Sequence, residues 1–211
     1  MSRRGYIPKD EIQFKGESLT LLRKAANEVQ FLLDQGYDIK PTTTFVGNHY
    51  MFSERQRLAL ARCVSSQTWI EKRMSKELLK KGTKNLPEKV YIDGFNTIIT
   101  LEVALSGSPI FCCRDGAIRD LAGLRGTYRI IDKTKIAIDL ILQQLEFLKI
   151  KRAVFYLDAP VSNSGRLSTL IKECSEFYNV FVEVEIIADV DRTLEKLNGV
   201  ISGDAIILNH C

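Results

Sequence analysis

The chain has 211 residues, of which 45% are hydrophobic and 27% charged, and its formal net charge is +4 at neutral pH. No apolar run approaches the ~20 residues that cross a bilayer, and the polar residues 1–16 do not have the form of a signal peptide, so the sequence predicts a cytoplasmic protein without a membrane segment. The five cysteines form no C-x-x-C pair and there are two histidines, so we expect neither a disulfide framework nor a zinc site.

Positive charge is concentrated in the first part of the chain. Residues 1–88 hold 16 Lys and Arg against 10 Asp and Glu, and residues 89–211 hold 14 against 16, which together give the 30 and 26 of the whole chain. A basic segment joined to a slightly acidic one suits a polyanionic partner such as nucleic acid. The alternative is a solvated lysine-rich surface without a partner. The oligomeric state stays open, and a homo-oligomer is compatible with the sequence.

Residues 1–86 are predicted to form a small all-α domain. Ser18 can cap a helix whose apolar residues recur at helical spacing until Gly36. Residues 37–51, with a proline, three threonines and a glycine, are predicted to be a loop. Ser53 begins a second helix, because Ser-Glu-Arg-Gln has the form of a capping box. Residues 69–81 are predicted to be a basic third helix, and the polar residues 82–88 form the domain boundary.

Residues 87–211 are predicted to form an α/β domain. Short apolar stretches typical of strands alternate with stretches of helical periodicity. Such alternation predicts crossover connections and a central parallel sheet flanked by helices. The predicted strands are residues 90–92, 110–113, 153–157, 180–187 and 199–202, and the predicted helices are residues 96–105, 132–149 and 166–178, with a short one near residue 194. Residues 117–129 are predicted to be a loop.

Aspartates follow several predicted strands at the point where each strand ends. Asp93, Asp158 and Asp204 each come after apolar residues and before a small residue or turn, and Asp115 is placed similarly. The carboxyl ends of parallel strands lie on one edge of a sheet, so we expect these side chains to converge. Converging carboxylates raise one another's pKa unless a cation lies between them. Oxygen ligands favour Mg²⁺ or Mn²⁺, whereas a single aspartate is more often a helix cap or turn former.

These strand ends resemble motifs of the PIN-like superfamily, in particular its NYN branch of nucleases. Val-Tyr-Ile-Asp-Gly-Phe-Asn (residues 90–96) is similar to the first strand of that domain, where an Asp-Gly-x-Asn turn supplies a metal ligand. Residues 200–204 resemble its Ser-Gly-Asp motif, and residues 156–158 resemble a middle acidic strand end. These matches cover residues 89–208. The whole chain also resembles an uncharacterised prokaryotic family that joins a helical segment to such a domain, through motifs like residues 46–50 and 114–126.

The resemblance implies a Mg²⁺- or Mn²⁺-dependent nuclease that cleaves phosphodiester bonds, in RNA rather than DNA. Two divalent ions ~3.5–4 Å apart can activate water and stabilise the leaving oxygen, and one ion can do part of this. The implied metal ligands are Asp93, Asp158, Asp204 and either Asp115 or Asp120. The implied catalytic set is Asp93, Asp158, Asp204 and Asn96, in which Asn96 orients a ligand or a phosphate.

The sequence is also compatible with other functions. The main alternative is a non-catalytic nucleic-acid-binding protein in which the PIN-like site is degenerate. A phosphohydrolase of the haloacid-dehalogenase type is disfavoured, because that chemistry needs a second aspartate two residues after the nucleophile, where this chain has Phe95. Asp189 and Asp191 are interpreted as a helix start rather than as the paired acids of a Toprim domain, because no matching glutamate strand precedes them.

Two segments are candidate phosphate-binding elements. Glycines in residues 114–129 let the backbone approach a phosphate, and the arginines between them can clamp its oxygens. The alternative is a network of Arg–Asp pairs that holds a surface loop. The helix start at Ser164 and Arg166 can bind an anion through free amides or form a plain N-cap. The candidate arginines of the first segment are Arg114, Arg119, Arg125 and Arg129.

Basic residues of the N-terminal helices are a further candidate for nucleic-acid contact. Their side chains can reach phosphate groups if the helices lie against a nucleic acid. The alternative is a helical cap that only packs on the α/β domain. The residues concerned are Arg55, Arg57, Arg62, Lys72 and Arg73.

Overall fold

The computed structural model describes residues 3–79, 86–123 and 126–211. It consists of an N-terminal helical segment followed by an α/β region, which confirms the predicted fold class. Within residues 3–79 there are five helices. They are α1 (Asp10–Gln13), α2 (Gly16–Asp34), α3 (Ile39–His49), α4 (Glu54–Cys63) and α5 (Gln67–Lys76). Residues 80–85, on which the end of the predicted third helix and most of the predicted domain boundary fall, lie outside the described residues.

The helix α3 lies in a stretch that the sequence predicted to be a loop. Pro41 is its third residue, where first-turn amides have no acceptor within the helix, so the missing N–H of proline removes no hydrogen bond. The hydroxyls of Thr43 and Thr44 donate to backbone carbonyls one turn earlier, at 2.7 and 2.9 Å. The prediction for residues 37–51 is therefore wrong, because proline and threonine break a helix only in its interior or when they bond elsewhere.

The start of α4 follows the predicted capping box. Ser53 Oγ accepts from the Gln56 amide at 3.3 Å, and Gln56 Oε1 accepts from the Ser53 amide at 3.1 Å. The basic helix α5 begins at Gln67 and ends at Lys76. Among the helices of the described residues, none combines the length and the apolar character that a membrane span requires.

The α/β region, from residue 86 onwards, alternates strands and helices. Its strands are β1 (Lys89–Asp93), β2 (Ile110–Cys112), β3 (Ile118–Asp120), β4 (Arg152–Asp158), β5 (Phe181–Ile187) and β6 (Val200–Ile201). Its helices are α6 (Gly94–Leu105), α7 (Thr134–Phe147), α8 (Ser164–Ser175), α9 (Val190–Leu194) and α10 (Ala205–His210). The helices α6, α7 and α8 pack on the sheet around a core in which Ile92, Phe155 and Leu157 are fully buried.

Four strands form a parallel sheet in the order β5-β4-β1-β6. From β1 the chain crosses to β4 and then to β5 on one side, and it returns to β6 on the other side of β1. The strand order therefore reverses between β1 and β6. Open α/β sheets bind ligands outside the carboxyl ends of their strands at such a switch point. A ligand site is therefore expected at the residues that follow β1 and β6.

The strands β2 and β3 are not part of this sheet. They pair with each other as an antiparallel hairpin, with Phe111 opposite Arg119. The connection between them spans only residues 113–117, whereas two parallel strands need a crossover of about a dozen residues or more. The strand predicted at residues 110–113 thus exists outside the parallel sheet, and β3 lies in residues predicted to be a loop.

The hairpin packs on the N-terminal helices. Leu121 and Phe111 belong to the helical core, and the Phe111 ring meets the edge of the Phe14 ring at 5.1 Å between centroids. Arg55 of α4 donates to the Leu121 carbonyl at 3.0 Å and forms an ion pair with Asp10 at 2.5 Å. The hairpin therefore connects the helical segment to the α/β region through apolar and polar contacts.

Candidate functional site

The site begins at Asp93, the last residue of β1 and the N-cap of α6. Its carboxylate is buried, at 6% exposure, and accepts from the Asn96 amide at 3.4 Å. The next residue, Gly94, lies against β4, since a Cβ there would be 2.6 Å from a Leu157 methyl and 2.9 Å from the Tyr156 carbonyl oxygen. Only glycine lets α6 begin this close to the neighbouring strand, which places Asp93 at the switch point.

The loop after β6 closes over Asp93. Ser202 Oγ donates to Asp93 Oδ2 at 2.8 Å, and the Gly203 amide donates to Asn96 Oδ1 at 2.8 Å. The Asp204 amide in turn donates to Ser202 Oγ at 3.0 Å. Asp204 also caps α10, because its Oδ1 accepts from the Ile206 amide at 2.6 Å. The structure therefore brings the sequence-predicted residues Asp93, Asn96 and Asp204 together.

Like charges surround Asp93. Burial raises the pKa of Asp93 to about 7, with further increases from the nearby carboxylates of Asp191 and Asp204, against a decrease from the Ser202 and Asn96 hydrogen bonds. Burial also raises the pKa of Asp191, as do Asp204, Asp158 and Asp189. The pKa of Asp158 is raised by burial and then by Asp189. We call these residues the acidic cluster: Asp93, Asp158, Asp189, Asp191 and Asp204.

Two members of the cluster were not among the predicted site residues. Asp189 caps α9, accepting from the Arg192 amide at 3.3 Å, so the predicted helix start is present. The same short helix also carries Asp191, whose carboxylate lies near those of Asp204 and Asp158. The sequence does contain a signal for this, because Asp189 comes two residues after the apolar end of β5, close to the strand end as Asp93 is in β1. Asp189 can cap α9 and lie at the edge of the sheet at the same time.

The donor set of the cluster suits a hard cation. Its oxygens are those that Mg²⁺ and Mn²⁺ prefer, and the largest influences on the pKa of Asp93 after burial come from Ser202, Asn96, Asp191 and Asp204. Within the described ranges, no three His, Cys, Asp or Glu side chains are close enough to form a ready-made coordination shell. Mg²⁺ commonly keeps several waters and binds through one or two carboxylates plus substrate oxygens, so the residues present fit that kind of ion.

Asp115 lies outside the acidic cluster, which corrects its prediction as a metal ligand. It sits in the turn of the hairpin rather than at an end of the parallel sheet. Its buried carboxylate accepts from Arg73 at 2.8 Å and from Arg119 at 2.6 and 3.0 Å. Burial alone would raise the pKa of Asp115, but the two arginines outweigh it and hold the pKa below its usual range. The two guanidinium groups compensate the negative charge of Asp115, so it does not attract a metal ion.

Asp120, the other predicted fourth ligand, is also used internally. Its Oδ2 accepts from the Thr100 hydroxyl at 2.8 Å, and its Oδ1 accepts from the Ala122 amide at 2.7 Å. Arg62 donates to the Asp120 backbone carbonyl at 2.6 Å. Because both carboxylate oxygens fix the end of the hairpin, Asp120 is a structural residue and not a member of the cluster.

The predicted phosphate-binding arginines have different environments. Arg119 is buried and, besides its pair with Asp115, donates from Nε to the Gly203 carbonyl at 2.7 Å, so it fixes the loop that carries Asp204. Arg114 donates to the side chains of Gln30 and Asn27 on α2. The Arg129 side chain is exposed. Arg125 lies outside the described residues.

The start of α8 follows β4 and therefore lies at the same edge of the sheet as Asp158. Its N-cap, Asn163, has a left-handed backbone with φ of 64° and makes no side-chain capping bond. Arg166 in the first turn is exposed, and Ser164 is half-buried. The first-turn amides of α8 therefore have no side-chain cap, as an anion-binding helix start requires.

The basic residues of the N-terminal helices are largely engaged in internal contacts. Arg57 donates to four acceptors within the helical segment, including the Phe52 carbonyl at 2.8 Å and the Asn48 side chain at 2.8 Å. Arg73 joins α5 to Asp115 and, at 2.8 Å, to Asn209 of α10. Lys72 lies over the Trp69 ring at 4.6 Å. With Arg55 and Arg62 also bonded as described, these arginines hold the helices together and onto the α/β region.

Two family models match separate segments of the chain. Residues 83–211 match the family model described as "Domain of unknown function (DUF5616)", and residues 21–76 match "Protein of unknown function (DUF434)". An uncharacterized protein of Methanocaldococcus jannaschii is 35% identical over 187 residues, which are 89% of this chain and 88% of the relative. No solved structure is significantly similar. None of these descriptions names an activity or a ligand. The matched length shows that the chain belongs to the DUF5616 family.

Proposed function

We propose that this chain is a Mg²⁺- or Mn²⁺-dependent nuclease that hydrolyses phosphodiester bonds at the acidic cluster. The observation that carries the proposal is the environment of Asp93, a buried carboxyl with a pKa of about 7 that faces Asp191 and Asp204. Perturbed pKa values from burial and like charges are typical of functional sites. The cluster also lies at the switch point of the sheet, where α/β folds bind their ligands.

A divalent cation would remove the main energetic cost of this arrangement. Its positive charge stabilises the ionised form of each nearby carboxylate, so Asp93 would be deprotonated at neutral pH. One or two of the carboxylates of Asp93, Asp191 and Asp204 would hold the ion, with waters completing its coordination. When bound, the ion supplies an activated water and a Lewis acid for the phosphoryl oxygen.

Neighbouring residues supply the rest of the site. Asn96 accepts from the Gly203 amide through Oδ1, which leaves its amide nitrogen to donate to a substrate oxygen. The uncapped start of α8 and the exposed Arg166 can bind a phosphate beside Asp158. RNA is the proposed substrate because residues 90–96 and 200–204 resemble the NYN branch of the PIN-like superfamily.

A cleavage assay tests the proposal directly. Single-stranded RNA, structured RNA and single-stranded DNA are incubated with the full chain in Mn²⁺, in Mg²⁺ and in EDTA. We expect metal-dependent cleavage of RNA that falls by about 100-fold or more in Asp93→Asn and Asp191→Asn. Glu173→Gln removes an exposed carboxylate on α8 and should leave the rate unchanged. Equal trace activity in the wild type and in Asp93→Asn would show that the nuclease proposal is wrong.

Calorimetric titration with Mn²⁺ tests the metal site independently of cleavage. We expect saturable binding by the wild type that is lost in an Asp93→Asn/Asp204→Asn double variant. If both proteins bind Mn²⁺ equally weakly, the acidic cluster is not a metal centre. RNA binding without cleavage and without metal dependence would instead support a non-catalytic nucleic-acid-binding protein.

A further inference from the structure

A concave site lies on the flank of α6, apart from the acidic cluster. It is a pocket of about 260 Å³ between the N-terminal arm, α6 and the segment that leads into α7. We call it the arginine pocket. Its lining includes Arg3, Arg4, Thr127, Arg129, Ile99 and Ile131. Arg4 of the pocket pairs with Glu102 of α6, which is nine residues beyond Asp93 along the chain. This separation is a rise of about 13 Å on an α-helix, so the pocket and the acidic cluster are distinct.

The structure holds the first two guanidinium groups of the pocket in place. Arg3 donates from Nε to the Ser106 carbonyl at 3.1 Å and lies over the Tyr6 ring at 3.4 Å. Arg4 forms an ion pair with Glu102 at 2.7 Å, and Glu102 is itself fully buried and accepts from the Tyr128 hydroxyl at 2.8 Å. Two of the three cationic side chains are therefore preorganised, which lowers the entropy cost of binding an anion.

The positive charge of the pocket exceeds the negative charge beside it. Glu102 compensates the charge of Arg4 alone. Arg3 also lowers the pKa of Glu11, but the main partner of that carboxylate is Lys15. Arg129 lines the pocket and its side chain is exposed, and among the described residues its guanidinium forms no hydrogen bond or ion pair. About two positive charges thus remain for a ligand.

The remaining walls indicate the shape of that ligand. Thr127 adds a residue with a hydroxyl to the lining, and Ile99 and Ile131 add apolar residues. Gly5 has a φ of +68° and lies so close to Ala122 that a Cβ would be 3.1 Å from its Cβ, so the backbone approaches the pocket without a side chain. The volume is slightly below the ~300–1,000 Å³ typical of sites for drug-sized ligands, and so suits a small anionic group with a compact apolar part.

We propose that the arginine pocket binds a phosphate monoester. Such a group carries nearly two negative charges at neutral pH, which matches the two uncompensated guanidinium groups. Its oxygens accept the paired N–H donors of arginine in bidentate geometry. The carrier can be a free sugar phosphate or the terminal phosphate of an oligonucleotide. The inference does not depend on metal binding or on cleavage at Asp93.

Calorimetric titration of the full chain in EDTA and low salt tests the proposal. The probes are ribose 5-phosphate, a short RNA with a 5′-phosphate and the same RNA with a 5′-hydroxyl. We expect a phosphate-bearing probe to bind about tenfold or more tightly than the 5′-hydroxyl RNA. Binding of ribose 5-phosphate identifies a free sugar phosphate as a sufficient ligand, whereas binding of the 5′-phosphorylated RNA alone identifies an oligonucleotide end.

Variants locate the binding in the pocket. Arg129→Glu reverses the charge of a side chain that forms no hydrogen bond or ion pair with the described residues. It should weaken binding by about tenfold or more, with Arg129→Gln weakening it less. Arg23→Glu makes the same charge change at an exposed site on α2 and should alter binding by less than about twofold. Equal effects of Arg129→Glu and Arg23→Glu, or no preference for phosphate in the wild type, would overturn the proposal. The titration is carried out in EDTA and measures binding alone, so a failed cleavage assay leaves this test intact.

Discussion

At the scale of single residues, Asp93 couples protonation to folding. An exposed aspartate has a pKa near 3.8, whereas burial and the neighbouring carboxylates raise the pKa of Asp93 to about 7 in the folded chain. Between these values the folded state holds a proton that the unfolded state has lost. The stabilising contribution is therefore fully present below about pH 4 and is lost as the pH rises to about 7 and beyond.

This coupling predicts the effect of Asp93→Asn, which resembles the protonated side chain at every pH. In EDTA at pH 8 we expect the variant to be more stable than the wild type by about 2–4 kcal/mol, which raises Tm by about 5–10 °C. At pH 4 the two proteins should unfold at nearly the same temperature. Thermal unfolding followed by circular dichroism from pH 4 to 8 measures the difference. If that difference does not grow with pH, Asp93 is ionised in the metal-free fold.

The strand-end pattern predicts the proximity of some aspartates and fails for others, and the difference has a physical reason. Aspartates that end strands of one parallel sheet must lie on one edge, so the proximity of Asp93 and Asp204 could be predicted from the pattern. Asp115 has the same local pattern, but its strand belongs to a hairpin, and local pattern does not reveal which sheet a strand joins. Asp191 was missed because the capping role of Asp189 accounted for that segment on its own.

At the scale of elements, the β2–β3 hairpin depends on a buried charge network. Arg73 of α5 and Arg119 of β3 both bond Asp115, and Arg119 continues to the Gly203 carbonyl in the loop of the acidic cluster. A buried ion pair is weak evidence of net stability, but removing one partner leaves charges uncompensated. The network therefore connects the helical segment, the hairpin and the loop that carries Asp204.

Asp115→Asn should accordingly destabilise the chain by about 3–5 kcal/mol and lower Tm by about 10 °C. Asp38→Asn, at an exposed helix start without a side-chain capping bond, should change stability by less than about 0.5 kcal/mol. Denaturant titration measures both. At temperatures where the variant is folded, its affinity for Mn²⁺ should stay within about threefold of the wild type, because Asp115 is a structural residue. A loss of affinity far beyond this would make Asp115 a metal ligand after all.

Helix α3 is an element that local sequence pattern does not predict, although the same kind of pattern predicts its neighbours. Amphipathic spacing and a capping box located α2 and α4, and alternating strands and helices predicted the parallel sheet. The composition of α3 argued for a loop, yet Pro41 occupies a position where no hydrogen bond is lost, and the threonines bond within the helix. Packing of α3 against α2 and α4 stabilises the helix, and the composition of residues 37–51 alone does not reveal that packing.

At the scale of the whole molecule, the helical segment and the sheet share an interface. The helical core includes Leu121 from the chain that follows β3, and the largest core lies between the sheet and the helices α6, α7 and α8. Arg73 and Lys76 of α5 also bond the last helix, α10, at its Asn209 side chain and its Leu208 carbonyl. The two parts therefore lose contacts together when either one unfolds.

We expect this shared interface to produce one cooperative transition in differential scanning calorimetry, with equal calorimetric and van't Hoff enthalpies. Phe14→Ala removes a ring that packs on Phe111 and should shift the single transition to lower temperature without splitting it. Met51→Ala changes an apolar side chain that is 90% exposed and should leave the transition in place. Two resolved transitions in the wild type would mean that the helical segment folds independently.

The closure of the loop after β6 over Asp93 also determines when the site can exist during protein synthesis. Ser202 and Asp93 are separated by 109 residues, and their hydrogen bond joins the first strand of the sheet to its last. At about 5–20 residues per second, the ribosome makes the second half of the site about 5–20 s after the first. A growing chain would therefore carry Asp93 for many seconds without the residues that complete the acidic cluster. Any activity of the cluster would begin only after β6 has joined the sheet.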